Sequence, residues 1–106
     1  MSTESPGRIL VVDDDPYFLR VLSRLLSAEN FQVKTAEGAA QAAQVLQHEN
    51  FDVVVSDLRL PDGDGLTILQ ELRKTGAETP VVILTAYGEV ESYIAAMNAG
   101  ATEYLN

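Results

Sequence analysis

The chain has 106 residues, a net charge of −9 and no cysteine. This length allows one domain with its own core, and the missing cysteines exclude disulfides and thiolate metal sites. The acidic balance argues against binding of nucleic acid or an anionic membrane by this segment and favours metal ions or a basic partner surface.

The first seven residues are expected to form a flexible tail ahead of one domain over residues 8–106. They lack the basic and apolar regions of a signal peptide. No apolar run approaches the ~18 residues that a membrane span requires. We therefore expect a cytoplasmic protein that does not contact the membrane.

Five predicted strands alternate with four predicted helices along the chain. The strands are expected at 8–12, 31–35, 52–56, 81–84 and 101–106, and the helices at 16–28, 38–47, about 66–75 and 88–98. The first strand is apolar without alternation, which is typical of burial on both faces of a parallel sheet. Asp15 and Pro16 form a helix start signal. This order predicts the α/β class with a doubly wound parallel sheet.

Aspartates stand where two of these strands end. Asp13 and Asp14 follow the first strand, and Asp57 follows the third. If the strands are parallel neighbours, the carboxylates converge at the edge where such sheets bind ligands. Clustered carboxylates repel one another unless a cation lies among them, and hard divalent ions take oxygen ligands. The pattern therefore predicts a Mg²⁺ site, which Thr85 at the end of the fourth strand would join in the flavodoxin-like order 2-1-3-4-5.

Four segments, at residues 9–16, 57–66, 82–86 and 100–105, together resemble the receiver domain of two-component response regulators. The resemblance runs from residue 8 to the last residue. It implies a switch that takes a phosphoryl group from a sensor histidine kinase, requires Mg²⁺, and catalyses its own modification without turning over a diffusible substrate. We accordingly expect a phosphoacceptor and not an enzyme in the usual sense.

The resemblance also implies roles for individual residues. Asp57 would be the phosphoacceptor, attacking phosphorus as a carboxylate nucleophile. Asp14 would bind the metal directly, Asp13 directly or through water, and the backbone carbonyl of Arg59 would supply a further oxygen.

Two more residues would carry the conformational switch. By resemblance, Thr85 would hydrogen-bond the phosphoryl group, and its movement would let Tyr104 turn from exposed to buried. Packing on a helix is the other interpretation of Tyr104. Tyr87 is a candidate for shaping access to Asp57.

The chain departs from the family at its end. A lysine that contacts the phosphoryl group follows the position of Asn106 in the family, and so does a fifth helix that covers one sheet face. The sequence therefore predicts a receiver that lacks the last helix. We expect it to be a piece of a longer chain or to cover that face by forming a homodimer.

Other functions remain as alternatives. A degenerate receiver would act only as a protein-interaction and dimerisation module. A phosphohydrolase of the haloacid-dehalogenase type is disfavoured, because Arg59 stands where that family has a second aspartate. A calcium loop at 62–65 is disfavoured by Leu66 and Arg73 at ligand positions, so turns are expected there. The segment 60–66 resembles receivers of transcription activators, which suggests a role in transcription regulation.

Overall fold

A computed structural model of the protein describes residues 7–84 and the backbone of a strand at 103–105. The strands are β1 (Arg8–Val12), β2 (Gln32–Ala36), β3 (Val53–Asp57), β4 (Arg59–Leu60), β5 (Gly63–Asp64), β6 (Val81–Leu84) and β7 (Glu103–Leu105). The helices are α1 (Pro16–Ala28), α2 (Ala39–His48) and α3 (Gly65–Lys74). Most of the predicted tail and the predicted helix at 88–98 lie outside the described residues.

The main sheet is parallel and has the strand order β2-β1-β3-β6-β7. This is the predicted doubly wound order, so the fold class expected from the sequence is confirmed. Val12 pairs with Ser56, and Asp57 pairs with Leu84, so β1, β3 and β6 end side by side. The carboxyl ends of three neighbouring strands therefore share one edge.

Strand β1 is buried on both faces because helices lie on both sides of it. Leu10 and Val12 face the larger core, together with residues of α2 and α3. Ile9 and Val11 face a smaller core in which Leu19 of α1 is buried. Successive side chains of a strand point to opposite faces, so an uninterrupted apolar strand must be covered twice.

Helix α1 begins as the sequence predicted. The Asp15 carboxylate accepts hydrogen bonds from the backbone amides of Tyr17, at 2.9 Å, and Phe18, at 3.4 Å, and Pro16 is the first helical residue. Asn30 follows the helix with a φ of 69°, in the left-handed region that asparagine tolerates. Among the described residues, no helix is long and apolar enough to cross a membrane.

The segment between β3 and α3 contains strand pairing that the sequence did not predict. Strands β4 and β5 form a two-residue antiparallel hairpin in which Arg59 pairs with Asp64 and Leu60 with Gly63. Leu58 and Leu60 are buried, and their burial fixes the path of the backbone between them and the turn. The sequence predicts turns at 62–65 but carries no signal for the strand pairing that they close.

An ion-pair network lies near the start of β1, at the end of the sheet opposite to the carboxyl ends of the strands. The Glu49 carboxylate pairs with the Arg8 guanidinium and, at 3.0 Å, with the Lys34 ammonium. Arg8 also donates to the Asn50 carbonyl at 2.7 Å and lies 4.8 Å from the centroid of the Phe51 ring. The hydrogen bond from Lys34, followed by that from Arg8, lowers the pKa of Glu49. The network thus joins β1 and β2 to the end of α2.

We predict that Glu49→Gln lowers the melting temperature at pH 7 and flattens its acid dependence. Because folding lowers the pKa of Glu49, its contribution is present above the ordinary glutamate value of 4.5 and is lost as the pH falls through the lowered value. Thermal unfolding followed by circular dichroism from neutral to acid pH measures this. Glu71→Gln, which removes an exposed pair with Lys74, is the control and should have little effect. Equal behaviour of the two variants would contradict the assigned network.

Candidate functional site

Three aspartates meet at the edge where β1 and β3 end. Asp13 and Asp14 follow β1, and Asp57 is the last residue of β3. One carboxylate oxygen from each lies within 4.8 Å of those of the other two. Asp14 is exposed, whereas Asp13 and Asp57 are half-buried. The parallel register of the strands accounts for this convergence.

Asp13 is held by one hydrogen bond of its backbone and one of its side chain. Its backbone amide donates to the Ala36 carbonyl at 3.1 Å, which continues the pairing of β1 with β2. Its carboxylate accepts from the Asp15 amide at 2.9 Å. Because Asp15 also caps α1, the position of the acidic cluster relative to the start of this helix is fixed.

Asp57 is held by the strand end and the hairpin. Its carboxylate accepts a long hydrogen bond, 3.4 Å, from the Arg59 amide. The next amide, of Leu58, donates to the Leu84 carbonyl at 2.8 Å, and the Leu58 carbonyl accepts from the Gly65 amide at 2.9 Å. The backbone on the carboxyl side of Asp57 is therefore bonded to both β6 and α3.

Burial and mutual repulsion act on the charges of this cluster. Partial burial raises the pKa of Asp57, and the Asp14 charge adds to this, although the Arg59 amide opposes it. Burial likewise raises the pKa of Asp13, with the charge of Asp57 adding to it and the Asp15 amide opposing it. The ionised cluster is thus disfavoured without a counter-charge.

The cluster fits a hard divalent cation. All three groups offer carboxylate oxygens, which Mg²⁺ prefers, and the oxygens are close enough to share one ion. Positive charge at this position would oppose the burial and the repulsion that raise the pKa of Asp13 and Asp57. These side chains could therefore hold Mg²⁺, which commonly keeps several waters in such sites.

The family model of the response regulator receiver domain matches residues 9–106. This chain belongs to the response regulator receiver family. The strand order and the acidic edge described above agree with that membership.

Curated relatives of this receiver include transcriptional regulators. The transcriptional regulatory protein GlrR of Escherichia coli K12 is 39% identical over 103 residues, which cover 97% of this chain and 23% of GlrR. The alginate biosynthesis transcriptional regulatory protein AlgB of Pseudomonas syringae is 41% identical over 104 residues, covering 98% of this chain and 23% of AlgB. The receiver thus spans about a quarter of the length of these relatives.

One solved structure that is similar to this receiver contains a bound ligand. The response regulator TrrA of Thermotoga maritima, in complex with Mg²⁺-BeF, has 34% identity and a TM-score of 0.84, and the match covers 93% of this chain and 84% of that one.

The structure describes the other predicted site residues only in part. Thr85 and Tyr87 lie outside the described residues. Tyr104 belongs to β7, where its backbone pairs with Ile83, and only that placement is described. Arg59 lies on β4, two residues beyond Asp57. Asp64 caps α3 by accepting from the Thr67 amide at 2.8 Å, in keeping with the turn interpretation of residues 62–65.

Two residues of the site segment were not recognised from the sequence. Asp62 accepts hydrogen bonds from the amides of Ala39, at 2.7 Å, and Ala40, at 3.0 Å, at the start of α2. Gly65 lies so close to the site that a β-carbon there would be 2.8 Å from the Asp57 carbonyl oxygen. The Asp-Gly pairs of the sequence indicate turns and carry no signal of either long-range contact.

We predict that Asp13→Asn and Asp57→Asn each raise the melting temperature of the metal-free protein at pH 7. Because folding raises the pKa of both groups, their charged forms oppose folding above the raised values and not below the ordinary value of 3.8. The gain should therefore vanish in acid. Glu78→Gln, which removes one exposed charge elsewhere, should change little.

Added Mg²⁺ should reverse this ranking. A ligand that binds only the folded state stabilises it more the more tightly it binds, so the parent should gain more than either variant. Thermal scans with and without Mg²⁺ measure both effects. A metal-free parent more stable than both variants would contradict the repulsive cluster.

We also predict that Gly65→Ala destabilises the protein by about 1–3 kcal/mol, the usual cost of overpacking. Alanine ordinarily favours a helix over glycine, but here its methyl group would press on the Asp57 backbone. Urea unfolding measures the effect, and Gln70→Ala on the exposed face of α3 is the control. A stabilised Gly65→Ala would show that this close approach is absent.

Proposed function

We propose that this receiver accepts a phosphoryl group on Asp57 from a sensor histidine kinase, in a reaction that requires Mg²⁺. The observation that carries the proposal is the convergence of the Asp13, Asp14 and Asp57 carboxylates within 4.8 Å at the sheet edge. Membership in the receiver family supports it. The TrrA complex with Mg²⁺-BeF is a precedent in a similar fold.

The proposed chemistry is a direct transfer between two nucleophiles. A carboxylate oxygen of Asp57 attacks phosphorus in line, the new P–O bond forms, and the P–N bond to the kinase histidine breaks. The leaving imidazole keeps the electron pair and takes up a proton. Bound Mg²⁺ supplies positive charge that offsets repulsion between the carboxylate and the phosphoryl oxygens.

The fixed backbone around Asp57 suits this reaction. Hydrogen bonds from Leu58 to β6 and from Gly65 to the Leu58 carbonyl hold the nucleophile without blocking its carboxylate. We propose that Asp13, Asp14 and the Arg59 carbonyl join Asp57 as metal ligands. The roles of Thr85 as phosphoryl contact and of Tyr104 as switch belong to the same proposal and come from the family resemblance.

The names of the relatives suggest an output for the switch. Since GlrR and AlgB are named transcriptional regulators, we propose that a protein carrying this domain regulates transcription. The homodimer expected from the sequence stays a prediction, which sedimentation velocity over a range of concentrations would test.

We predict that incubation with Mg²⁺ and acetyl phosphate adds one phosphoryl group to the parent and none to Asp57→Asn. Intact mass measured at neutral pH, before the acyl phosphate hydrolyses, provides the readout. Chelation of Mg²⁺ should abolish the gain, because the carboxylates and the phosphoryl oxygens then repel without compensation. Glu78→Gln should behave like the parent.

Two results would overturn the proposal. An equal mass gain in Asp57→Asn would place the acceptor elsewhere. No gain in the parent, with Mg²⁺ bound, would leave a metal-binding receiver that acts through protein contacts alone.

A further inference from the structure

Helix α2 is capped from a distant part of the chain. Its N-cap residue, Gly38, has no side chain with which to bond the first amides of the helix. The Asp62 carboxylate does so instead, accepting from Ala39 at 2.7 Å with one oxygen and from Ala40 at 3.0 Å with the other. Charged hydrogen bonds at a helix N-terminus are among the stronger ones in proteins.

Gly38 leaves the space that this contact occupies. The three atoms nearest to a β-carbon built at Gly38 all belong to the Asp62 carboxylate, the closest at 2.7 Å. The backbone there is extended, with φ −163° and ψ 176°, so any residue could adopt it. Glycine is required at this position for space and not for conformation.

Asp62 stands in the turn of the hairpin that follows the proposed phosphoacceptor. One arm, β4, contains Arg59, and the other, β5, leads to Gly65, whose amide closes the hairpin on the Leu58 carbonyl at 2.9 Å. The base of the hairpin is thus fixed at Leu58, next to Asp57, and Asp62 fixes its tip on α2. Between these two points lies the Arg59 backbone, whose amide contacts the Asp57 carboxylate.

We propose that Asp62 is a positioning residue of the phosphoacceptor site. By holding the hairpin tip on the first turn of α2, it keeps the Arg59 backbone and the Asp57 carboxylate in the relative position that metal binding and phosphoryl transfer require. The inference rests on the proposed function of Asp57. It adds a residue that touches neither metal nor phosphoryl group and that acts through the backbone.

The first test compares Asp62→Ala with Glu78→Ala, which removes the same charge from an exposed site. Mg²⁺ affinity is measured by calorimetry, and the phosphorylation rate with acetyl phosphate by intact mass, at a temperature where every variant is folded. Asp62→Ala should weaken Mg²⁺ binding and slow the reaction by about tenfold, the low end of what loss of an indirect metal-site partner costs. Glu78→Ala should match the parent.

A second variant separates positioning from helix stability. Gly38→Asp combined with Asp62→Ala gives α2 a local cap at an extended N-cap position, with the obstructing carboxylate removed and the net charge of the parent kept. The double variant should have a higher melting temperature than Asp62→Ala, close to that of the parent. Mg²⁺ affinity and the phosphorylation rate should stay low, because the hairpin tip remains unattached.

The outcomes distinguish this inference from the proposed function. Recovery of both Mg²⁺ affinity and rate in the double variant, or parental values in Asp62→Ala, would overturn the positioning role while phosphorylation of the parent stands. A parent that binds Mg²⁺ but takes no phosphoryl group would overturn the proposed function, and weaker Mg²⁺ binding in Asp62→Ala would still support the positioning role of Asp62. A parent that neither binds Mg²⁺ nor takes a phosphoryl group would overturn both the positioning role and the proposed function.

Discussion

Electrostatic repulsion among three carboxylates at one edge of the sheet is the constraint on which the rest of the site depends. The parallel pairing of β1 with β3 brings Asp13 and Asp14 beside Asp57, and partial burial adds to the cost of their charges. Such a cluster persists only where the surrounding structure fixes its members. Here the helix cap at Asp15 fixes one side, and the backbone bonds of Leu58 fix the other.

The stability that supports this cluster comes from elsewhere in the fold. Strand β1 is buried on both faces, and the Glu49 network ties the opposite edge of the sheet to α2. Helix α2 therefore connects the two edges, since its last turn leads to Glu49 and its first turn binds Asp62. A shift of this helix would therefore move the hairpin that follows Asp57, so the position of the helix sets the position of the hairpin.

Much of the fold and the acidic cluster could be predicted because the signals are local. An apolar strand without alternation, the Asp15-Pro16 helix start and aspartates directly after strands each specify their own surroundings, and parallel topology then brings the strand ends together. The role of Asp62 could not be predicted, because its partners lie 22 and 23 residues away and depend on how the hairpin packs. The roles of Gly38 and Gly65 could not be predicted either, because the space that they leave for a carboxylate and a carbonyl depends on long-range packing.

Phosphorylation of Asp57 would increase the electrostatic repulsion among the negative charges of the site. A carboxylate carries one negative charge, whereas a phosphoryl group carries about two at neutral pH. The edge already disfavours the charges of Asp13 and Asp57, so the phosphorylated site needs more compensation than the free one. A cation held by Asp13 and Asp14 would supply part of it, and the remainder would have to come from hydrogen-bond donors that approach the new oxygens. The added negative charge would therefore also attract neighbouring hydrogen-bond donors toward the phosphoryl group, and such a local charge change can bias a two-state conformation.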